Sequence, residues 1–362
     1  IVEQFAFARL TLIDYVAQIF CDSERLYNMY RWYTGLLVFA TLLSLCVVVL
    51  GAWVRLTDAG LGCPDWPGCY GSLIVEDSAT ARAEAKAEFP DRPLDSGKAW
   101  REMIHRYIAA TLGFTIVIIA SLAWVNRKQA NQPVTVPLIL LGLVIFQGLL
   151  GMWTVTLLLK PVIVMMHLLG GLATTGLSFW LLLDSLRKTK ERSPASSNLL
   201  RRLAPIGLVV LVIQIALGGW TSANYAALAC PDLPTCQGQW WPDEIDFAEG
   251  FVMWQGPSVD YEGGILDAPS RVAIHLTHRL GALVAFLLLL GIALTTWHST
   301  SSTVTRSASL AVTVLLLLQI SLGISAVWFG LPIVLAATHN AVAALLLLAV
   351  INLNHAIIRA VN

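Results

Sequence analysis

Charge is what this sequence has least of. Only 13% of its 362 residues are Asp, Glu, Lys or Arg, about half the share of a soluble domain, so water is the wrong solvent for most of the chain. The two signs balance to a formal net charge of zero, which removes the basic surface that a nucleic-acid partner requires. There is no H-E-x-x-H, and no extra carboxylate stands at ligand spacing in either half of the chain, so zinc, the main competing metal for its histidines, has no framework. The first residues lack the basic start and small-residue cleavage site of a signal peptide. Cysteine is sparse as well, at six.

What the chain has instead is apolar length. A helix rises about 1.5 Å per residue and satisfies its own backbone, so roughly 20 apolar residues cross a bilayer. Eight such windows occur, at about 34–53, 104–125, 136–157, 161–183, 204–222, 274–297, 308–329 and 332–353. These predict an all-α polytopic membrane protein with eight transmembrane helices. Residues 1–31 mix Phe5, Phe7, Leu10 and Ile13 with Glu3, Arg9 and Asp14, which suits a helix lying in the interface. The loop at 184–203 carries Arg187, Lys188, Lys190, Arg192, Arg201 and Arg202. Arg127, Lys128, Arg306 and Arg359 fall on the same side. The excess of Lys and Arg makes that side cytoplasmic, with both termini. Two long loops, about 54–103 and 223–273, then face outward.

The chain repeats itself. The stretch from Gly51 to Cys69, GAWVRLTDAGLGCPDWPGC, returns 167 residues later as GGWTSANYAALACPDLPTC, Gly218 to Cys236, with nine of nineteen positions identical. His105-Arg106 then matches His278-Arg279, Gln147 matches Gln319, and His167 matches His339. Duplication of a four-helix unit follows, with one copy over 32–190 and the other over 200–357. Cys63/Cys69 and Cys230/Cys236 are C-x5-C pairs in the two outward loops, where disulfides are permitted. Each pair can simply staple its loop, and for the first a redox role is an open alternative. Cys21 and Cys46 have no counterpart and read as buried thiols.

Histidine carries the chemistry. His105, His167, His278 and His339 stand at equivalent depths near the outward helix ends, and an ionisable residue in a membrane span points to function. Two imidazoles from facing helices can bind one iron from opposite sides, so one heme per half is expected, held by His105 with His167 and by His278 with His339. The competing reading is a hydrogen-bonded packing histidine, and the repeat in register weighs against it. Arg106 and Arg279 either pair with a heme propionate or anchor the interface. Gln147 and Gln319 read as bridges between helices, and His298 and His355 as interfacial residues.

The copies also differ. Glu102 lies three residues before His105 and on its helical face, where the second copy has His275. A carboxylate beside a macrocycle can move protons or stabilise developing positive charge, unless it is merely a solvated interfacial charge. The first half reads as the reaction site and the second as a fixed electron-transfer heme. A membrane electron-transfer cytochrome would also use histidine pairs but usually places its hemes toward both faces, whereas these four histidines lie toward one. A heme chaperone would need no Glu102 and would release its heme unchanged.

The Gly51–Cys69 motif, Glu102-x-x-His105-Arg106, His167, His278-Arg279 and His339 resemble the bacterial heme A synthase family, of the cysteine-containing type, over about residues 30–355. The resemblance implies two four-helix bundles related by pseudo-twofold symmetry. It implies a b-type heme on His278 and His339, and heme O as substrate at His105 and His167, with Arg106 beside them and Glu102 catalytic. His275 and Arg279 are secondary candidates for contact with the cofactor. It further implies disulfides Cys63–Cys69, assisting turnover or heme transfer, and Cys230–Cys236, mainly structural. The implied reaction takes the C8 methyl of heme O to a formyl group for terminal oxidase assembly, in the bacterial inner membrane. The partners to expect are lipid, a heme O synthase, oxidase assembly factors and further copies of the chain.

Overall fold

A computed structural model describes residues 30–129, 132–186, 198–256 and 259–359. The proposed interfacial segment, Cys21 and most of the basic 184–203 loop lie outside those residues. Among the described residues there are ten helices and no strand. Eight are long and apolar enough to cross a membrane: α1 (Tyr30–Leu56), α3 (Ser96–Val125), α4 (Thr135–Thr156), α5 (Pro161–Leu186), α6 (Asn198–Ala223), α8 (Ala268–Ser299), α9 (Thr303–Trp328) and α10 (Ile333–Arg359). Two short helices, α2 (Ala79–Glu88) and α7 (Phe247–Gly250), sit in the two long loops.

The spans form where the apolar windows predict. Lipid offers backbone groups no partner, so an apolar run of this length must be helical. α3 and α8 begin earlier than their windows, because Asp95 and Asp267 accept the N–H groups of Lys98 and Ser270 and start each helix in polar sequence. Hydroxyls inside the spans bond back to the carbonyl one turn earlier, as Thr41 does to Leu37 at 2.7 Å and Thr175 to Gly171 at 3.0 Å.

Two apolar clusters organise the packing. One joins Leu37 and Ala40 of α1, Leu112, Ile116 and Ile119 of α3, Leu140 of α4 and Leu181 of α5. The larger joins α6, α8, α9 and α10 through Leu211, Leu289, Val312 and Leu346, and reaches Val48 of α1 and Leu172 of α5. α10 is the most enclosed span, with 61% of its apolar window buried, because it packs on α9, α6 and α5 together.

Polar ties cross between the clusters at both ends. On the side of the long loops, Arg55 donates to the Ser222 carbonyl at 2.6 Å and lies over the Tyr225 ring, and Arg92 pairs with Asp260 and Glu262. Lys160 donates to the Gly256 carbonyl at 3.2 Å beneath Trp254. At the opposite side His355 meets Asp184 at 2.9 Å and stands edge-on to Trp180. His355 is therefore buried between α5 and α10 rather than interfacial, since an acid 171 residues away supplies its partner. Cys46 departs the other way. It is exposed on the outer surface of α1, because an apolar run does not reveal which face meets lipid.

Candidate functional site

Each of the four repeated histidines faces a glycine on a neighbouring helix. A Cβ added to Gly51 of α1 would lie 3.1 Å from Cε1 of His105, and one on Gly151 of α4 would lie 3.5 Å from that of His167. The corresponding distances are 3.2 Å from Gly218 to His278 and 3.0 Å from Gly323 to His339. Every ring thus lies against backbone, and at Gly51, Gly218 and Gly323 an added side chain would press on it.

The ring nitrogens of the two pairs are served differently. Gln214 of α6 places its amide nitrogen 3.0 Å from Nδ1 of His278, and Gln319 of α9 places its own 3.2 Å from Nε2 of His339. Nδ1 of His105 and of His167 in the first half, and of His339 in the second, is buried without a partner, as is the amide nitrogen of Gln147, so that of the four rings only His278 has a partner at Nδ1. Buried polar atoms left unpaired call for an explanation. A pair of neutral imidazoles with open nitrogens, backed by glycine, suits the two axial positions of a flat iron macrocycle. Among the described residues no three His, Cys, Asp or Glu side chains come together as a metal-binding group.

Above each pair a disulfide loop is folded down onto the helix end. Cys63 is bonded to Cys69, and the Cys63 N–H donates to Glu102 Oε2 at 2.9 Å. Glu102 is only 5% exposed. Its other oxygen is held by Arg106, whose Nη1 also donates to the carbonyls of Asp65, Pro67 and Gly68. The Asp65 carboxylate closes the turn by accepting the N–H groups of Tyr70 and Gly71. Gly62 allows the loop this close, since a Cβ there would stand 2.6 Å from the backbone of Lys98.

The second loop repeats the arrangement with a different group at its centre. Cys230, bonded to Cys236, donates its N–H to Nδ1 of His275 at 3.1 Å. Arg279 donates to the carbonyls of Cys230, Asp232 and Thr235 at 2.6–2.9 Å, and its Nε lies 3.3 Å from Nε2 of His275. A neutral imidazole carries a proton on one nitrogen, so only one of the two contacts to His275 is a hydrogen bond; the shorter, from Cys230, is taken here. Asp232 accepts from Gln237 and Gly238, and the Thr235 hydroxyl together with those amides holds its carboxyl below the usual range.

Glu102 and His275, Arg106 and Arg279, and both cysteine pairs thus gather at the loop end of their helices, directed at the hairpins. Gln214 was missed by the repeat comparison. Its signal is plain enough in hindsight: one carboxamide in the apolar run VLVIQIAL, a turn before Gly218.

A cytochrome oxidase assembly protein model, COX15-CtaA, matches residues 34–351. The chain belongs to that family. Within it, a protein of Shewanella oneidensis named heme A synthase is 46% identical over 325 residues, covering 89% of this chain and 96% of the relative. Proteins of the same name from Halalkalibacterium halodurans and Caulobacter vibrioides are 27% and 28% identical, covering 86% and 90% of this chain and 93% and 94% of their own. These COX15-CtaA relatives match across all or nearly all of their length, so the eight-span frame and both loops fall within the compared region.

Proposed function

We propose that this chain makes heme A, the product in the relatives' shared name, by oxidising the C8 methyl of heme O to a formyl group. The observation that carries the reading is the glycine opposite each repeated histidine, which leaves two paired, sterically relieved imidazoles in each half. His105 and His167 serve the substrate heme. His278 and His339 would hold a b-type heme, which would supply a one-electron acceptor.

Two successive oxidations, each adding the oxygen of one water molecule and releasing two protons and two electrons, the electrons leaving one at a time for an external acceptor, would replace C–H by C–OH on the methyl carbon. The resulting gem-diol would lose water to leave the aldehyde. Glu102 supplies the negative charge that the oxidised carbon calls for, or takes up the proton released. It is held for that work by the Cys63 amide and Arg106. His275 receives the same amide in the second half but brings no negative charge, which fits a site that carries electrons only. Arg106 and Arg279 act through the hairpins that they bind. The two disulfide loops face the periplasm of the bacterial inner membrane and both termini face the cytoplasm, as the basic loops require.

The test is heme extraction from membranes expressing the chain beside a heme O supply. Formyl heme is expected from the intact chain, and heme O or its alcohol from Glu102→Ala loaded with both hemes. Unchanged heme O from the intact chain would make it a carrier, and colourless protein after replete growth would remove the heme reading altogether.

A further inference from the structure

One polar group in the second half has no counterpart in the first. Gln214 lies one turn before Gly218, and its amide nitrogen sits 3.0 Å from Nδ1 of His278 and 3.1 Å from the His278 carbonyl oxygen. It is seated against Gly281, where an added Cβ would stand 2.4 Å from its Oε1. That Oε1 is itself buried without a hydrogen-bond partner. At the repeat offset of 167 residues Gln214 corresponds to Val47, and at the offset of His278 from His105 Gly281 corresponds to Ile108. The polar side chain and the small residue that makes room for it are thus replaced together by two apolar ones. Val47 packs into the apolar cluster of α1, α3, α4 and α5, and the Nδ1 of His105 is left bare.

The distinction has a physical consequence for a ligand histidine. An imidazole bound to iron through one nitrogen keeps its proton on the other, and a partner at that second nitrogen fixes the ring's rotation and strengthens it as a donor. A carboxamide can serve either form of the ring, because its nitrogen donates to a bare Nδ1 and its oxygen, after a half-turn, accepts from Nδ1–H. Valine can do neither. We propose that Gln214 is a positioning residue that makes the His278 site retain its heme, while the Val47–Ile108 replacement leaves the His105 site free to take in and release one. This rests on the reading that His278 and His339 hold the resident heme. It answers a demand of that reading: the cofactor must stay through many turnovers, whereas the substrate must leave as product.

The experiment uses the full chain purified from heme-replete membranes, with b-type heme content, transfer of heme to apomyoglobin and midpoint potential as readouts. Gln214→Val is expected to lose b heme on the order of 10–100 times faster than the parent. The heme that remains should have a higher potential, because a weaker donor favours the ferric state less. The reciprocal double variant Val47→Gln with Ile108→Gly should slow heme release from the first site, and this reading survives even if Gln214→Val assembles poorly. An unchanged transfer rate and potential in Gln214→Val, or unchanged release in the reciprocal variant, overturns the proposal. His278→Ala is the control for the reading beneath it. If that variant keeps its b heme, the assignment of the resident heme fails, independently of the outcome for Gln214.

Discussion

In the first half the amide of the leading loop cysteine ends on a carboxylate, Glu102, and in the second it ends on a neutral ring, His275. Around those two groups the frame is the same. An arginine one turn further on binds three loop carbonyls, an aspartate closes the loop, and the next histidine lies against a glycine. Shape is therefore not what separates the two sites. Three positions do: a charge at Glu102, and the ring partner and its seat at Gln214 and Gly281. On the proposed assignment, one scaffold carries a reacting site and a storing site through differences at these few positions.

The sharpest way to break this comparison is to erase the charge while leaving the loop anchor in place. Glu102→His copies the second half and still offers a nitrogen to the Cys63 amide. Heme A output is expected to fall by about 10²–10⁴-fold, the range that acid–base groups contribute. Alkylation of cysteines should still find Cys63 and Cys69 protected. Wild-type output from this variant would reduce Glu102 to a loop anchor.

Next in size is the glycine test. Gly218→Val and Gly51→Val each push a side chain toward a histidine ring, and overpacking of this kind costs about 1–3 kcal/mol. A loss of heme affinity of about 5- to 150-fold follows at the affected site. Gly218→Val should purify with little b heme, whereas Gly51→Val should keep its b heme and fail to make product. Equal loss of b heme in both variants would show that the halves do not bind separately.

The fold was readable because lipid enforces it, and every apolar window became a span. Helix starts were less legible, since Asp95 and Asp267 lie in polar sequence that a hydropathy window ignores. The histidines stood out through repetition, and Glu102 through its difference from His275. Gln214 escaped because Val47 is unremarkable in a span, so the contrast becomes visible only beside the His278 ring. The use of Arg106 was also hidden: spacing shows that it follows His105, not that a loop nearly forty residues upstream folds over it. The pairing of His355 with Asp184 joins the end of the chain to its middle and leaves no local trace.

A smaller effect separates the hairpins. Chain entropy assigns each short disulfide loop about 2 kcal/mol, so Cys63→Ser/Cys69→Ser and Cys230→Ser/Cys236→Ser should lower thermal stability alike. Only the first pair holds an amide onto Glu102, so only its loss should reduce heme A formed per resident heme. Equal loss of turnover in both double variants would leave the hairpins with a purely structural role.

The smallest expected effect concerns the ties between the halves. Arg92 joins the first loop to Asp260 and Glu262 of the second, with all three side chains partly in solvent. Exposed pairs of this kind contribute about 0–1 kcal/mol and weaken as salt is added. Arg92→Ala should therefore shift the melting temperature by no more than about 3 °C at low salt, and by less at high salt, with heme content and output unchanged. The reason lies below the loop: Arg55 on the Ser222 carbonyl and the apolar contact of Val48 and Leu172 with α6 and α8–α10 keep the halves together without it. A larger shift, or one that persists in high salt, would mean that the second loop sets the geometry of the first site rather than resting on it.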